Sequence, residues 1–220
     1  MYNNATANTR WIIIYFLAYC LFVIIGTLLD ERILLITLSA AKYTIYALLF
    51  IAGIVLFRQT IVDSWELMKS HVFRNLLLLF GFYLVYVLLS GLIYALIGPH
   101  IGTSGLNDQK IYQVMTALPP YVTLPVLGVI GPIVEEFIFR HILINRLSKQ
   151  FGTWLCVFIS SLLFGLLHIH SLADLFNIVP YVITGLVLGT LYVKSKYNLL
   201  LPILFHVFTN LSGLIPMVMR

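Results

Sequence analysis

Two adjacent glutamates and an arginine stand inside one of the most apolar stretches of the 220-residue chain, the segment GPIVEEFIFRHI at residues 131–142. A charged side chain at mid-bilayer depth costs on the order of 3 kcal/mol, so it needs a partner or a function. The i, i+4 spacing of Glu136 and Arg140 puts both on one helix face, where they can form an ion pair. Glu135 points about 100 degrees away around the helix. The sequence therefore leaves Glu135 in need of water, a proton or an ion.

Two histidines in later apolar segments could meet Glu135. His168 ends the segment FGLLH, and His206 begins the segment HVFTN, where Asn210 follows at i+4 on the same face. Counted at about 1.5 Å per residue from the predicted cytoplasmic side, Glu135 lies roughly 16 Å deep, His168 about 21 Å and His206 about 15 Å. Each histidine alone is typical of an interhelical hydrogen bond. An acid and two imidazoles at one depth favour a functional site, because they are costly unless water or substrate reaches them.

The composition predicts an integral membrane protein. The chain is 61% hydrophobic and only 10% charged, and a soluble domain of this size could not bury so much apolar surface. The excess of 13 Lys+Arg over 8 Asp+Glu is more typical of a membrane orientation signal than of a nucleic-acid site. The lipid bilayer is therefore the expected partner, and no nucleic acid is.

Seven apolar stretches are each long enough to cross about 30 Å of hydrocarbon. They cover residues 11–29, 33–57, 75–97, 121–143, 153–169, 176–193 and 199–219. We therefore predict an all-α, polytopic membrane helix bundle of about seven transmembrane helices. The link HIHSLADLFN after the fifth stretch could be a re-entrant or interfacial turn, which leaves six to eight spans open.

The basic residues between the spans predict the orientation. One side of the membrane receives Arg10, Arg58, Lys69, Arg74, Arg146, Lys149, Lys194 and Lys196, whereas the other receives Arg32, Lys110 and Arg220. The richer side is expected to be cytoplasmic. We therefore predict a cytoplasmic N-terminus and an external C-terminus, in what is most simply a bacterial plasma membrane.

The ionisable residues divide the chain, residues 1–220, into two parts of a single membrane domain. Residues 1–97 hold three accessory spans that are poor in chemistry, whereas the later spans carry almost every intramembrane ionisable group. The polar stretch GPHIGTSGLNDQKIYQ between the parts is expected to be a loop. Gly185 and Gly189 form a G-x-x-x-G pattern, which indicates close helix packing. His141 is expected near a span end, where a hydrated histidine costs little.

The three motifs EEFIFR, FGLLH and HVFTN, in this order, resemble those of the CAAX protease and bacteriocin-processing family of intramembrane endopeptidases. The type II CAAX prenyl endopeptidases belong to that family. The resemblance covers residues 119–215, which would be the catalytic core. It implies a helical membrane fold around a water-filled cavity.

The resemblance also implies a role for each motif residue. Glu135 would be the base that activates water, and His168 would help to hold that water. His206 and Asn210 would be donors to the oxyanion, which requires N–H groups near the developing charge. The supporting residues would be Glu136, Arg140 and Phe164.

A zinc site is an open alternative to the metal-free mechanism. Glu135, His168 and His206 have the composition of a catalytic zinc site, two histidines and one glutamate with an open position for water. However, the sequence lacks an H-E-x-x-H motif. We therefore favour a metal-free glutamate mechanism with no cofactor, and leave zinc open.

Three functions fit the sequence. The first is an endopeptidase that hydrolyses membrane-associated peptides or proteins, such as peptide pheromone or bacteriocin precursors. The second is a non-catalytic membrane protein that acts in bacteriocin immunity or as the partner of a sensor kinase. The third is a proton-coupled transporter, which midplane glutamate and histidine also suit, although no inverted repeat is found.

Overall fold

The computed structural model describes residues 8–28, 35–98, 106–169 and 172–219. Within these ranges the chain is helical and contains no strand, which confirms the all-α prediction. The helices are α1 (Thr9–Leu28), α2 (Leu35–Leu56), α3 (Arg58–Ser70), α4 (Val72–Ile97), α5 (Leu106–Ala117), α6 (Pro120–Phe151), α7 (Thr153–Leu166), α8 (Ile178–Lys194) and α9 (Leu200–Val218). A 3-10 turn, Leu172–Asn177, precedes α8.

The apolar helices form a membrane bundle. Among the described residues, four helical segments are long and apolar enough to cross a membrane, namely α4, α6, Leu175–Lys194 and α9. A fifth results if α2 and α3, which are bent by 71° at their junction, count as one broken span. Shorter apolar helices cover Thr9–Ile25 and Thr153–Leu166. The count of seven spans therefore stays a prediction. The orientation also stays a prediction, and two of the basic residues on which it depends, Arg32 and Arg220, lie outside the described residues.

Helix α6 lies at the centre of the bundle. In the apolar stretch of α6, 56% of the residues are buried, compared with 6% in that of α4. In the middle of α6, Phe137, Ile138 and Phe139 are at most 2% exposed. Phe139 makes edge-to-face contacts with Tyr19 of α1 and Phe164 of α7. The EEFIFR motif is therefore surrounded by neighbouring helices.

The backbone of α6 departs from α-helical geometry on both sides of the glutamates. The π-helical segments Val126–Ile130 and Phe137–Arg146 flank the α-helical turn Gly131–Glu136. Pro125 and Pro132 have no N–H group to donate within the helix. Single π-helical turns inside α-helices are frequent at functional sites.

Helices α7 and α8 approach each other closely at the two predicted glycines. A Cβ atom on Gly185 would lie 2.8 Å from Cα of Ser161, and one on Gly189 would lie 3.1 Å from Cγ1 of Val157. Any larger residue at Gly185 would force the helices apart. The expected close packing at this pattern is therefore confirmed.

Two expectations were wrong. The polar stretch predicted as a loop contains most of α5, whose first turn carries Asp108, and a carboxylate at this position stabilises a helix N-terminus electrostatically. His141 is only 2% exposed instead of hydrated. The bend between α2 and α3 places Phe57 against it, with ring centroids 4.9 Å apart.

Candidate active site

His206 of α9 lies between the two glutamates of α6. Its Nδ1 atom is 2.8 Å from Oε1 of Glu136, and its Nε2 atom is 3.8 Å from Oε2 of Glu135. The Glu136 side chain is fully buried, whereas that of Glu135 is 14% exposed. One imidazole therefore connects a buried carboxylate with a partly accessible one.

Arg140 forms the ion pair that its spacing from Glu136 predicts. Its Nη1 atom lies 3.0 Å from Oε1 of Glu136, and both side chains are at most 1% exposed. Its Nη2 atom donates a hydrogen bond of 3.2 Å to the carbonyl of Gly185 on α8. The guanidinium also lies over the ring of Phe164, 5.1 Å from its centroid. Glu136 is thus held from α6 and α9, and its arginine partner is held from α8.

The hydrogen bond to Glu136 constrains the protons of His206. An ionised carboxylate only accepts hydrogen bonds, so Nδ1 of His206 must carry a proton. Its Nε2 atom then faces Glu135 at 3.8 Å.

A cavity of about 210 Å³ lies beside Glu135. Since a water molecule occupies about 30 Å³ in the liquid, the cavity has room for several waters. Its lining comes from α1, α2, α5, α6 and α9 and from the turn after α7. The polar or charged side chains on its wall are Tyr19, Tyr46, Asn107, Glu135, His168 and Asn210.

Three of the predicted site residues lie on the cavity wall, and the others lie behind it. Glu135, His168 and Asn210 line the cavity. His206 is only 3% exposed, and its Nε2 atom faces Glu135. This arrangement favours a role for His206 in orienting Glu135 over the oxyanion-donor role that the resemblance implies.

The imidazole of His168 is fixed from two directions. Its Nδ1 atom lies 2.8 Å from the carbonyl oxygen of Phe164, so this nitrogen carries the proton. The opposite support is Tyr181 of α8, whose ring stacks on the imidazole with centroids 4.3 Å apart and planes inclined by 16°. The Phe164 ring also contacts the imidazoles of His168 and His206, at 4.7 and 5.5 Å. Phe164 therefore separates and supports the two histidines.

The π-helical turn of α6 explains where Asn210 lies. The N–H of Gly131 donates to the carbonyl of Val126, so it passes over the carbonyl of Leu127. The next residue, Pro132, has no N–H to offer. Nδ2 of Asn210 donates a 3.2 Å hydrogen bond to the carbonyl of Leu127 instead. The π-helical turn thus leaves the carbonyl of Leu127 available to anchor the Asn210 carboxamide at the cavity.

Sequence reasoning missed the contribution of the first two helices. Tyr19 of α1 and Tyr46 of α2 line the cavity with Glu135, although residues 1–97 were expected to be poor in chemistry. Tyrosines are frequent in membrane proteins at both interfaces. Their position in the sequence therefore carried no signal for this cavity.

The zinc alternative receives no geometric support. Within the ranges that the structure describes, no three side chains of His, Cys, Asp or Glu converge as a metal site requires. His206 directs Nδ1 to Glu136, and His168 directs Nδ1 to the Phe164 carbonyl. The metal-free mechanism nevertheless stays a prediction.

Residues 117–212 match the family model of the type II CAAX prenyl endopeptidases, Rce1-like. This segment contains all three motifs and both π-helical turns of α6. This similarity to the family covers residues 117–212, less than half of the chain. The matched segment overlaps the predicted catalytic core, residues 119–215.

Three bacterial relatives are similar to this chain. A putative membrane peptidase, YdiL of Bacillus subtilis, is 34% identical over 50% of this chain and 42% of its own length. The membrane-embedded CAAX protease MroQ of Staphylococcus aureus is 29% identical over 47% of this chain and 42% of its own. The UPF0177 protein YbdI of Lactococcus lactis is 29% identical over 61% of this chain and 78% of its own. The chain thus spans less than half of both named peptidases, and no solved structure matches it significantly.

Proposed function

We propose that this protein is an intramembrane endopeptidase that hydrolyses peptide bonds of membrane-associated peptides or proteins. The observation that carries the proposal is the placement of Glu135, His168 and Asn210 on the wall of one cavity inside a membrane bundle. The family match and the two relatives named as peptidases support the same class of activity.

In the proposed reaction Glu135 is the general base. Its carboxylate removes a proton from a cavity water as the water oxygen attacks the peptide carbonyl carbon. The tetrahedral intermediate then collapses, the C–N bond breaks, and Glu135 passes the proton to the departing amine nitrogen. The products are one carboxylic acid, which keeps the second proton of the water, and one amine, and Glu135 is regenerated. His168, which faces the same cavity, holds the attacking water.

Asn210 is the proposed donor to the oxyanion. Its carboxamide nitrogen has two N–H groups, and one is used on the carbonyl of Leu127. The second N–H can donate to the negative oxygen that develops in the transition state. An anchored amide needs little reorganisation when the charge forms, which is what makes such donors effective.

The proposed base, Glu135, is supported from behind the cavity wall by His206, Glu136 and Arg140. The imidazole is fixed through Nδ1 by Glu136, so its Nε2 side is presented to Glu135 at 3.8 Å. Its contact with Oε2 limits the orientations that the Glu135 carboxylate can adopt toward the cavity. Arg140 in turn balances the charge of Glu136.

The cavity lies toward the end of the bundle opposite the basic turns around Arg146 and Lys194. It is lined by the N-terminal half of α6 and by the C-terminal half of α9. If the positively charged side is cytoplasmic, substrates reach the cavity from the external half of a bacterial plasma membrane. Peptides that are exported or anchored at that surface are therefore the proposed substrates.

Comparison of peptide termini in membranes tests this function. Host cells that lack the gene would be complemented with the wild-type protein or with Glu135→Gln, and new termini would be identified by mass spectrometry. We expect a set of cleavage products that depends on Glu135. An identical set of termini in both strains, with the phenotype of the wild type retained, would instead indicate a non-catalytic membrane protein.

A further inference from the structure

Helix α5 lies over the cavity without being long enough to cross the membrane. It has 12 residues, and Asn107 and Ile111 belong to the cavity lining. The helix contacts α2, α6 and α9, which supply three other walls of the cavity. A peptide that enters from this side must therefore pass or displace α5.

Tyr181 of α8 joins α5 to the candidate site. Its hydroxyl accepts a hydrogen bond of 3.0 Å from Nδ2 of Asn107 and donates one of 3.2 Å to Oδ1 of Asp108. Its ring stacks on the imidazole of His168. The hydroxyl of Tyr181 thus binds α5, whereas its ring packs against His168 on the cavity wall.

We propose that Tyr181 is a positioning residue that fastens α5 over the cavity through its hydroxyl and holds the imidazole of His168 through its ring. The part that concerns His168 rests on the proposed peptidase function, whereas the fastening of α5 does not. The two parts can be separated chemically. Phenylalanine keeps the ring and removes both hydrogen bonds, and leucine removes the ring as well.

The geometry couples the two parts. Stacking on the Tyr181 ring fixes the plane of the His168 imidazole, and the contact with the Phe164 carbonyl fixes its rotation within that plane. When α5 leaves the cavity, Tyr181 loses its two hydrogen bonds to that helix and becomes less restrained. The site is then expected to be well ordered for reaction only with α5 in place, so that hydrolysis follows closure around the substrate.

Cysteine accessibility measures the fastening without any substrate. Val126 lines the cavity, and Val126→Cys can be introduced after Cys20→Ser and Cys156→Ser remove the two native thiols. The rate of reaction with a membrane-impermeant maleimide is then compared with Tyr181→Phe added. We expect the rate to rise about fivefold or more, because the variant loses both hydrogen bonds and the net contribution of even one of them allows that factor.

Tyr192→Phe is the matched control, because Tyr192 is a buried tyrosine of the same helix whose hydroxyl has no hydrogen-bond partner among the described residues. It should leave the labelling rate unchanged. If Tyr181→Phe fails to fold, Asn107→Ala with Asp108→Ala removes both α5 partners of the hydroxyl and should raise the rate in the same way. Labelling that is unaffected by the loss of this contact overturns the fastening of α5.

Cleavage assays test the second part. We expect kcat to fall further in Tyr181→Leu than in Tyr181→Phe, because only the leucine variant loses the stacking on His168. Equal kcat values in the two variants would contradict the claim that the Tyr181 ring holds the imidazole of His168 for catalysis. If the wild-type protein cleaves nothing but Tyr181→Phe still accelerates labelling, the peptidase proposal fails and the fastening of α5 stands.

Discussion

The Nδ1 atom of His206 lies 2.8 Å from the carboxylate of Glu136. This contact joins α9 to α6, and the same carboxylate oxygen is 3.0 Å from Arg140. Arg140 extends the connection to α8 through the carbonyl of Gly185. Glu136 therefore holds three helices together at the depth of the candidate site.

Breaking the Glu136–Arg140 pair should destabilise the protein strongly. Either Glu136→Gln or Arg140→Met leaves a buried charge without its partner, and the expected loss is about 3–5 kcal/mol of unfolding free energy. Thermal melting of the detergent-purified protein measures it. Glu66→Gln is the control, because Glu66 pairs with Lys69 at 2.9 Å on an exposed face and should contribute little. A stable Arg140→Met protein without activity would point to a direct catalytic role instead.

Replacement of Asn210 should affect the rate of reaction more than stability. Loss of one oxyanion donor lowers kcat by about 10²-fold or more, so Asn210→Ala should show that decrease with a small change in KM. Asn75→Ala is the matched control, because Asn75 donates to the carbonyls of Leu67 and Met68 and is not part of the cavity lining. A near-normal kcat in Asn210→Ala would remove Asn210 from the mechanism.

Pro132 should control the position of Asn210. Pro132→Ala introduces an N–H group that can compete for the carbonyl of Leu127 and release the carboxamide of Asn210. We expect kcat to fall, by less than in Asn210→Ala, with no decrease in melting temperature. Pro125→Ala, which restores an N–H elsewhere in the same helix, should leave kcat unchanged. Equal rates for Pro132→Ala and the wild type would contradict this explanation of the Asn210 position.

The metal-free mechanism predicts activity without bound zinc. Elemental analysis of active, detergent-purified protein should find no stoichiometric metal, and chelators should leave the cleavage rate unchanged. Zinc that binds stoichiometrically and restores activity after chelation would overturn the assignment of Glu135 as a metal-free base.

The sequence was informative where residue spacing or the energetic cost of an intramembrane charge limits the possible arrangements. The i, i+4 spacing of Glu136 and Arg140 predicted their ion pair, and the cost of intramembrane charge directed attention to Glu135. The sequence could not show that His206 bonds Glu136, because the relative rotation of α6 and α9 depends on packing. The π-helical turns depend on the same packing, and so does the contribution of Tyr19 and Tyr46 to the cavity. Likewise, Tyr181 shows its connection to α5 only once α5 is seen to be a helix.

The most direct test of the central claim is the cleavage rate of Glu135→Gln on a purified substrate that the terminus comparison identifies. Glutamine keeps the size of the side chain and removes the base, and a general base contributes about 10²- to 10⁴-fold to a rate. We predict a decrease in kcat of at least about 10²-fold, with the melting temperature and the labelling of Val126→Cys unchanged. Cleavage by Glu135→Gln at the wild-type rate would contradict the proposal that Glu135 activates the water.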